Sequence, residues 1–339
     1  MNKPLPTIQD VARLANVSTA TVSRALSSPE QVSENTRQQV FDAVQSTGYR
    51  VNRTARNLRR KQTGAIVVLV PNIGNPFFSQ ILAGIEATVS RAGLNVLIAD
   101  TRQSHLRDGQ LGEYLRDNRA DGLISLDGAL PAEFHSPSPT TPIVFCCEWV
   151  EGSALPSVRY DNAGGSALAV RHLHDIGHRK IGHVLGPDDN VLTHARLLGT
   201  RTAIGELGLS LPPTWLFDGD FSLAAGARAA RSWMALDDRP SAVTCASDQM
   251  ACGFIAELHR HGLSVPTDVS VVGFDDIDIA EQFIPALTTV RQPRTEIGET
   301  AAGALIELMR GAQERPAPAI RTMVTAELVV RGSTAPHAA

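Results

Sequence analysis

Residues 7–26, TIQDVARLANVSTATVSRAL, contain two short helical patterns joined by a tight turn. In the first pattern, apolar residues recur at the helical spacings i, i+3, i+4 and i+7, and Thr7 is placed to cap the helix. In the second pattern Ser18 takes the cap position, and one apolar stripe follows it, formed by Val22, Ala25 and Leu26. The sequence therefore predicts a compact pair of helices at the start of the chain.

The predicted outer face of the second helix is small and polar and carries one long cation, with Thr19, Ala20, Ser23 and Arg24 facing away from the stripe. A helix with small side chains at its N-terminal end can enter the major groove of DNA, where Arg24 would make a bidentate contact with guanine. This favours a helix-turn-helix that reads DNA. An αα-hairpin whose small residues only allow close packing has the same pattern.

The charge of the chain is distributed unevenly. Residues 1–62 hold ten Lys or Arg against four Asp or Glu, a net charge of +6, whereas the whole chain carries −4. A basic N-terminal segment followed by an acidic remainder of the chain is typical of a DNA-binding domain joined to a domain of another kind.

A third helix is predicted from Ser33 to Gly48, with Val40, Ala43 and Val44 on one side. After it, Asn52 can cap a short basic helix over 53–58 that is too short to be stable alone in water. We expect this segment to fold on DNA, with arginines on phosphates and Leu58 wedged between bases in the minor groove. A solvated basic linker whose Leu58 packs on the body is the alternative.

The composition excludes several classes of protein. A 43% apolar and 19% charged chain is typical of a globular protein, and no apolar run approaches the roughly 20 residues of a membrane span. The first 20 residues lack the apolar core of a secretory signal, so we expect a cytoplasmic protein. The four cysteines show no CxxC spacing, which favours reduced, structural thiols.

From Gly64 onward, apolar strands alternate with amphipathic helices, a pattern that predicts parallel sheets covered by helices. The pattern occurs twice, which predicts two doubly wound lobes in a clamshell. Ligands in such folds lie beyond the carboxyl ends of the strands. The predicted cleft therefore contains the loops after Val70, Asp100, Cys146, Gly186, Asp220, Ser247 and Phe274.

Several motifs follow one another in order and spacing: TIQDVARLANVSTATVSRAL, VSENTRQQV, GYRVNRTAR, GHRKIGHVLGP, ARLLG, GDFS, SDQMACGF, VSVVGFDDI, PALTTVRQP and RGS. With them the chain resembles the LacI/GalR family of bacterial transcription regulators over nearly its full length. Within the family its pattern is most similar to that of the cytidine repressor and purine repressor branch. The resemblance implies a cytoplasmic, nucleoid-associated repressor that binds a palindromic operator as a homodimer and responds to a small-molecule effector.

The resemblance also implies a domain plan: a helix-turn-helix headpiece over 1–50, a hinge over 51–63, an N-terminal lobe over 64–161 and 291–321, and a C-terminal lobe over 162–290 and 322–335. By this resemblance, Thr19, Ala20 and Arg24 would contact bases in the major groove, and Leu58 would contact the minor groove. Because two of the reading residues are so small, specificity would depend on Arg24, the hinge and DNA deformability. The full expected set of DNA contacts is Thr7, Ser18, Thr19, Ala20, Thr21, Ser23, Arg24, Asn35, Asn52, Arg53, Ala55, Arg56 and Leu58.

In the cleft, the resemblance implies ten effector-binding residues: Phe77, Phe78, Trp149, Asp161, Asn190, His194, Arg196, Phe221, Asp248 and Asp275. Arg196 and Asp275 suit vicinal hydroxyls, and the aromatic rings can stack on a sugar or a base. Structural alternatives stay open for four of them: Phe77 or Phe78 as core, Trp149 as interface, and Asp161 as the cap of the following helix.

We expect the effector to be a nucleoside whose ribose hydroxyls bind Arg196 and Asp275. Its base would lie between the rings of Phe78 and Phe221. Asn190 or His194 would form a hydrogen bond with the edge of the base. A pentose or another sugar is the alternative. A solute-binding protein of a transporter shares the clamshell but would need an export signal in place of the headpiece.

No catalytic or cofactor motif occurs, so an enzyme and a bound cofactor are not expected. The histidines of HLHDIGHRKIGH lack a carboxylate or thiol partner that would complete a zinc site. The implied mechanism is an equilibrium between two lobe arrangements that changes the spacing of the two hinges in a dimer.

Overall fold

A computed structural model describes residues 6–49, 63–102, 120–128, 142–311, 320–323 and 326–337. The chain divides into two compact units, Met1–Thr63 and Gly64–Ala339. The headpiece helices predicted from sequence lie in the first unit, and the predicted α/β lobes lie in the second.

The first unit contains three helices: α1 (Ile8–Leu14), α2 (Thr19–Ser27) and α3 (Glu34–Thr47). A single 3₁₀ turn, Pro29–Gln31, joins α2 to α3. The predicted apolar stripes pack together, and the residues at their centre are buried: Val11, Ala12, Ala15, Val22, Ala25, Val40 and Ala43. The predicted helix-turn-helix and its third helix are confirmed.

Local hydrogen bonds define where these helices begin and end. The Asp10 carboxylate accepts hydrogen bonds from both the backbone N–H and the hydroxyl of Thr7. Ser18 and Ser33 each accept the backbone N–H of the residue three positions later. Gly48 ends α3 at a φ of 67°, a conformation that glycine adopts without strain.

The second unit contains two six-stranded sheets. Their described strand pairings are parallel except for one antiparallel pair, Thr288–Arg291 with Glu327–Val329. The first sheet has the order β11-β5-β4-β3-β1-β2, built from β1 (Ala65–Val70), β2 (Asn95–Asp100), β3 (Gly122–Ser125), β4 (Ile143–Cys146), β5 (Ser157–Tyr160) and β11 (Ile320–Met323). The second has the order β12-β10-β9-β8-β6-β7, built from β6 (Ile181–Val184), β7 (Leu216–Phe217), β8 (Ala242–Cys245), β9 (Ser270–Asp275), β10 (Thr288–Arg291) and β12 (Glu327–Val329).

Seven described helices accompany these sheets: α4 (Phe77–Arg91), α5 (Asn162–Asp175), α6 (Val191–Glu206), α7 (Leu223–Met234), α8 (Asp248–Arg260), α9 (Ile279–Gln282) and α10 (Arg294–Met309). Three helix pairs pack closely: α4 with α10, α5 with α6, and α7 with α8. In the described part of the chain, none of the helices is long and apolar enough to cross a membrane. All four cysteines are buried and free.

The structure differs from the sequence prediction in a few elements. The pattern missed β5 and α9. The sequence of β5, SVRY, lacks the apolar run that marks the other short strands, and α9 is a single helical turn, too short to show a hydrophobic period. The predicted helix over 106–116 lies outside the described residues. The first lobe extends to Met323 instead of 321, because all four residues of β11 pair with β5.

The crossing of α5 and α6 depends on a glycine. A β-carbon added at Gly199 would lie 2.0 Å from the carbonyl oxygen of Ala163, a backbone atom that cannot rotate away. Gly205 lies on the same helix, and a β-carbon there would meet nothing within 4 Å.

We therefore expect Gly199→Ala to lower the free energy of unfolding by about 1–3 kcal/mol or more, through overpacking. Gly205→Ala is the matched control and should raise the stability by up to about 1 kcal/mol, since alanine favours a helix over glycine. Urea unfolding of the two variants measures both effects. Equal stability of the two variants would contradict the close crossing.

Candidate functional site

The outer face of α2 presents the side chains that the sequence predicted. Val22 and Ala25 are fully buried, whereas Thr19, Ala20, Ser23 and Arg24 are exposed. The Arg24 Nε lies 3.5 Å from the carbonyl oxygen of Ala20, at the limit of a hydrogen bond, so its guanidinium is available to a ligand. This face of α2 combines small side chains with the exposed cation of Arg24. Such a face can enter the major groove of DNA and contact base edges there.

The remaining predicted DNA contacts divide into two groups. Thr7, Ser18 and Asn35 are exposed and Thr21 is half-buried, and Thr7 and Ser18 also serve as helix caps. The other group lies outside the described residues: Asn52, Arg53, Ala55, Arg56 and Leu58. Their contacts with DNA stay a prediction.

A cavity of about 530 Å³ lies between the two lobes of the second unit. Its walls come from loops at the carboxyl ends of strands in both sheets, where the strand order led us to expect a ligand. Its described lining residues are Pro71, Asn72, Asn75, Phe78, Arg102, Asp127, Gly128, Glu148, Trp149, Pro187, Asp189, Asn190, Val191, Asp220, Phe221 and Ser222.

A second, narrow cavity of about 30 Å³ adjoins the first. The two share Asn75, Phe78, Glu148 and Phe221 in their walls. The narrow cavity adds Phe77, Cys147, Leu192, Arg196, Ser247 and Asp275. The predicted hydroxyl-binding pair, Arg196 and Asp275, thus lies beside the main cavity, in a space too small for a sugar ring in this conformation.

Protein atoms contact all three nitrogens of the buried guanidinium of Arg196. Its Nε donates to the Asn162 side-chain oxygen at 2.9 Å, and its Nη1 donates to the carbonyl oxygen of Ala246. Its Nη2 lies 3.5 Å from Asp275 Oδ1, and its carbon lies 3.9 Å from the Phe274 ring centroid. A ligand hydroxyl that reached this pair would therefore insert into an existing ion pair.

Asp275 is nearly as buried as its partner and also accepts a hydrogen bond from Gln292 at 2.8 Å. Burial raises the pKa of the Asp275 carboxyl to about 6, although the nearby guanidinium of Arg196 opposes the shift. The positive charge of Arg196 stabilises the ionised form of this carboxyl group.

Glu148, which the sequence reasoning missed, is the most unusual group in the main cavity. It follows β4 and is only 8% exposed. Its Oε2 accepts the backbone N–H of Gly128 at 2.9 Å, and its Oε1 accepts the side-chain amide of Asn190 at 2.8 Å. Burial raises the pKa of Glu148 to about 7, and these two hydrogen bonds oppose the shift. An acidic residue directly after the apolar run IVFCC was the signal that could have identified it.

Asn190, Trp149 and Phe221 line the main cavity as predicted. The Asn190 oxygen caps α6 through the backbone N–H of Leu192, while its amide bonds Glu148 across the cleft. One face of Trp149 is covered by the Arg159 guanidinium, 4.3 Å from the ring centroid. Phe221 has a φ of 61°, an uncommon backbone conformation that is often found at binding sites.

Three of the predicted effector-binding residues line neither cavity. Asp161 is exposed and its Oδ1 accepts the backbone N–H of Gly164 at 2.8 Å, which is the helix-capping alternative. His194 is exposed on α6. Asp248 is completely buried, where it accepts hydrogen bonds from the Thr289 hydroxyl and the Ile277 backbone.

Two of the four histidines of HLHDIGHRKIGH, His178 and His183, are buried. His178 bonds the hydroxyls of Ser241 and Ser270 at 2.8 and 3.0 Å, and burial lowers its pKa to about 4. His183 bonds Thr244 at 2.8 Å. Within the described ranges, no three His, Cys, Asp or Glu side chains are grouped as metal ligands.

A helix-turn-helix headpiece and two α/β lobes that enclose a cleft define a DNA-binding regulator with a core similar to periplasmic binding proteins. Residues 7–52 match the lacI family of bacterial regulatory proteins, and residues 170–334 match the periplasmic binding protein-like domain. The chain is 38% identical to the HTH-type transcriptional repressor CytR of Escherichia coli strain K12, over 97% of this chain and 96% of that protein.

It is 34% identical to the HTH-type transcriptional repressor PurR of Photobacterium profundum, over 90% of this chain and 92% of that protein. Its fold is similar to the lac repressor dimer bound to operator and the anti-inducer ONPF, with a TM-score of 0.83 and 29% identity over 98% and 100% of the two chains. The protein belongs to the lacI family of bacterial regulatory proteins, and it is a DNA-binding transcriptional repressor, not an enzyme.

The two roles considered for Asp161 make different predictions. As a helix cap, Asp161→Ala should lower the free energy of unfolding by about 0.5–2 kcal/mol, whereas Asp161→Asn, which keeps the acceptor, should cost little. Thermal unfolding measures this difference. An effector affinity that falls in both variants without loss of stability would show instead that the carboxylate binds the ligand.

Proposed function

We propose that the protein binds a palindromic operator as a homodimer and that a nucleoside, bound in the cleft between the lobes, controls this binding. The observation that carries the proposal is the 530 Å³ cavity, whose walls combine aromatic rings with hydrogen-bonding side chains from both lobes. Such a wall suits a flat base, which stacks on rings and bonds through its edge. The similarity to the transcriptional repressors CytR and PurR supports the DNA-binding part of the proposal.

The composition of the cavity favours an uncharged nucleoside over a nucleotide. Its described lining contains four carboxylates and one guanidinium: Asp127, Glu148, Asp189, Asp220 and Arg102. A phosphate would be repelled by this excess of negative charge. A bare pentose, the alternative effector, has hydroxyls for Arg196 and Asp275 but no flat base to stack on the aromatic rings of the cavity wall, Phe78, Trp149 and Phe221.

Exposed apolar side chains support the homodimer. Strand β2 is an edge of the first sheet, and Leu97 and Ile98 on it are 42% and 46% exposed. In the second lobe, Ile284 is 90% exposed and Ile279 is 53% exposed. A second copy of the chain is the partner that we propose for these exposed side chains. The similar lac repressor structure is a dimer bound to operator.

A ligand that touches both lobes can change their relative position, because it binds the closed arrangement better than the open one. We propose that this change reaches the DNA-binding segments and alters operator affinity. Linkage then requires operator DNA to change effector affinity by the same factor. The transporter solute-binding alternative leaves the basic headpiece without a role.

The DNA-reading role of α2 can be tested at Arg24. Arg24→Ala should weaken binding to the specific operator by about 1–3 kcal/mol, because one bidentate guanine contact is lost. Arg13→Ala, on the exposed side of α1, is the matched control and should change affinity less. Fluorescence anisotropy on specific and scrambled duplexes, at two salt concentrations, separates the two effects. An unchanged preference for the operator in Arg24→Ala would contradict base reading by this residue.

The effector class can be tested by isothermal titration with cytidine, adenosine, uridine, inosine, ribose and cytidine monophosphate. We expect heat from nucleosides, none from ribose, and weaker binding of the phosphate. The same panel added to the operator complex reports through anisotropy whether the effector releases DNA or promotes binding. Ribose that binds while every nucleoside gives no heat would replace the proposal with the sugar alternative.

A further inference from the structure

We propose that the hydrogen bond between Glu148 and Asn190 holds the two lobes together before any effector binds, and that it thereby sets the operator affinity of the effector-free protein. This gives Asn190 a role in lobe closure besides the contact with a base that the sequence suggested. The inference rests on the proposed operator binding, and it does not depend on which effector binds in the cleft.

The first step concerns the position of this hydrogen bond. Glu148 follows β4 in the first lobe, Asn190 precedes α6 in the second, and the Asn190 amide donates to Glu148 Oε1 at 2.8 Å. The chain itself passes between the lobes after β5, after β10 and after β11. Those segments stay connected at every angle between the lobes, whereas the Glu148–Asn190 hydrogen bond breaks when the cleft opens.

The second step concerns how each side chain is held within its own lobe. Glu148 Oε2 accepts the backbone N–H of Gly128 at 2.9 Å. Asn190 Oδ1 accepts the backbone N–H of Leu192 at 2.8 Å and caps α6. Because a neighbour in the same lobe already orients each side chain, the hydrogen bond between them costs little additional side-chain entropy.

The third step concerns the loss of one partner. Glu148 is only 8% exposed in this arrangement of the lobes. With the lobes closed, removal of the Asn190 amide leaves a buried carboxyl oxygen without that donor, which is unfavourable. With the lobes apart, water takes the place of the missing donor. Removal of either partner therefore destabilises the closed arrangement selectively and shifts the equilibrium toward the open one.

A second hydrogen bond between the lobes helps to rank this one. The Gln80 amide donates to the Asp278 carboxylate at 2.7 Å, at an exposed position. Water competes for exposed donors and acceptors, so such a hydrogen bond contributes little to holding the lobes. The Glu148–Asn190 hydrogen bond is partly buried and therefore contributes more.

The same hydrogen bond affects how readily an effector binds. A ligand that binds the closed arrangement has an apparent affinity that rises with the fraction of closed protein, and the Glu148–Asn190 hydrogen bond raises that fraction. Both residues also line the main cavity, so a change in effector affinity does not separate lobe closure from direct contact with the ligand. Measurements on the effector-free protein do separate them.

Asn190→Ser in the full-length protein tests the inference. Serine caps a helix about as well as asparagine does, but its side chain is one bond shorter and does not reach Glu148. The operator Kd without effector, measured by fluorescence anisotropy, should change roughly three- to tenfold. Hydrogen exchange of residues 122–128 in the first lobe should become faster, because Gly128 donates to the released Glu148. Glu151→Gln, at an exposed position outside both cavities, is the control and should behave as the wild type.

Glu148→Ala removes the other partner of the hydrogen bond. It should shift the effector-free operator Kd in the same direction as Asn190→Ser. The double variant should shift the Kd no further than the larger of the two single shifts, because both substitutions break one and the same hydrogen bond. Thermal unfolding of each variant checks that it is folded.

The possible failures are distinguishable. An effector-free operator Kd that is the same in Asn190→Ser and the wild type overturns this role of the hydrogen bond, and so do single shifts that add up in the double variant. Either result leaves the proposed operator binding and effector intact. If the wild type binds no palindromic operator, the proposed function and the effect on operator affinity fail together. Hydrogen exchange, measured without DNA, then decides by itself whether Asn190 restrains the first lobe.

Discussion

The cleft depends on how the two lobes are held, and the buried guanidinium of Arg294 forms hydrogen bonds with both of them. Arg294 begins α10, a helix that packs on α4 and on the first sheet. It donates to the carbonyl oxygens of Pro76 and Phe77 in the first lobe, and to the backbone oxygen of Asp276 and the carboxylate of Asp278 in the second. A buried cation must keep its partners, so the lobes cannot move freely at this point.

Arg294 thus joins the edge of the cavity to the second lobe. Phe77, whose backbone it holds, lines the narrow cavity, and Asp276 follows directly after Asp275. A second contact between lobes, from Gln80 to Asp278 at 2.7 Å, lies one turn further along α4. A ligand that displaces Phe77 or Asp275 therefore acts on residues whose backbone is tied to the contact between the lobes, which is the physical requirement for an effector that changes their arrangement.

The two buried pairs in the cleft differ in kind. Arg196 and Asp275 carry opposite charges and occupy each other, within a network that also includes Asn162 and Ala246 of the same lobe. Glu148 and Asn190 come from different lobes, and only one of them is ionisable. The first pair supports the second lobe, whereas the second pair spans the cleft and joins the two lobes.

Much of the fold could be predicted because it depends on local patterns. The apolar stripe of α2, the caps at Thr7 and Ser18, and the alternation of strands and helices all follow from spacing within a few residues. The prediction that ligands lie at the carboxyl ends of the strands located Phe78, Trp149, Asn190 and Phe221 in the cavity wall. Asp161, His194 and Asp248 lie near those ends in sequence, but no local pattern shows whether a polar side chain caps a helix, faces solvent or is buried.

The sequence by itself determined the class of protein: a basic helix-turn-helix, a twofold α/β pattern and motifs in family order, all of which are properties of residue type and spacing. Only the tertiary structure decided which polar groups meet in the cleft. Glu148 is an ordinary glutamate in the sequence, and it becomes a buried acceptor with a raised pKa because β4 brings it beside Gly128 from one loop and Asn190 from the other lobe. Those contacts join residues 20 and 42 positions apart in the chain, and no periodicity in the sequence encodes them.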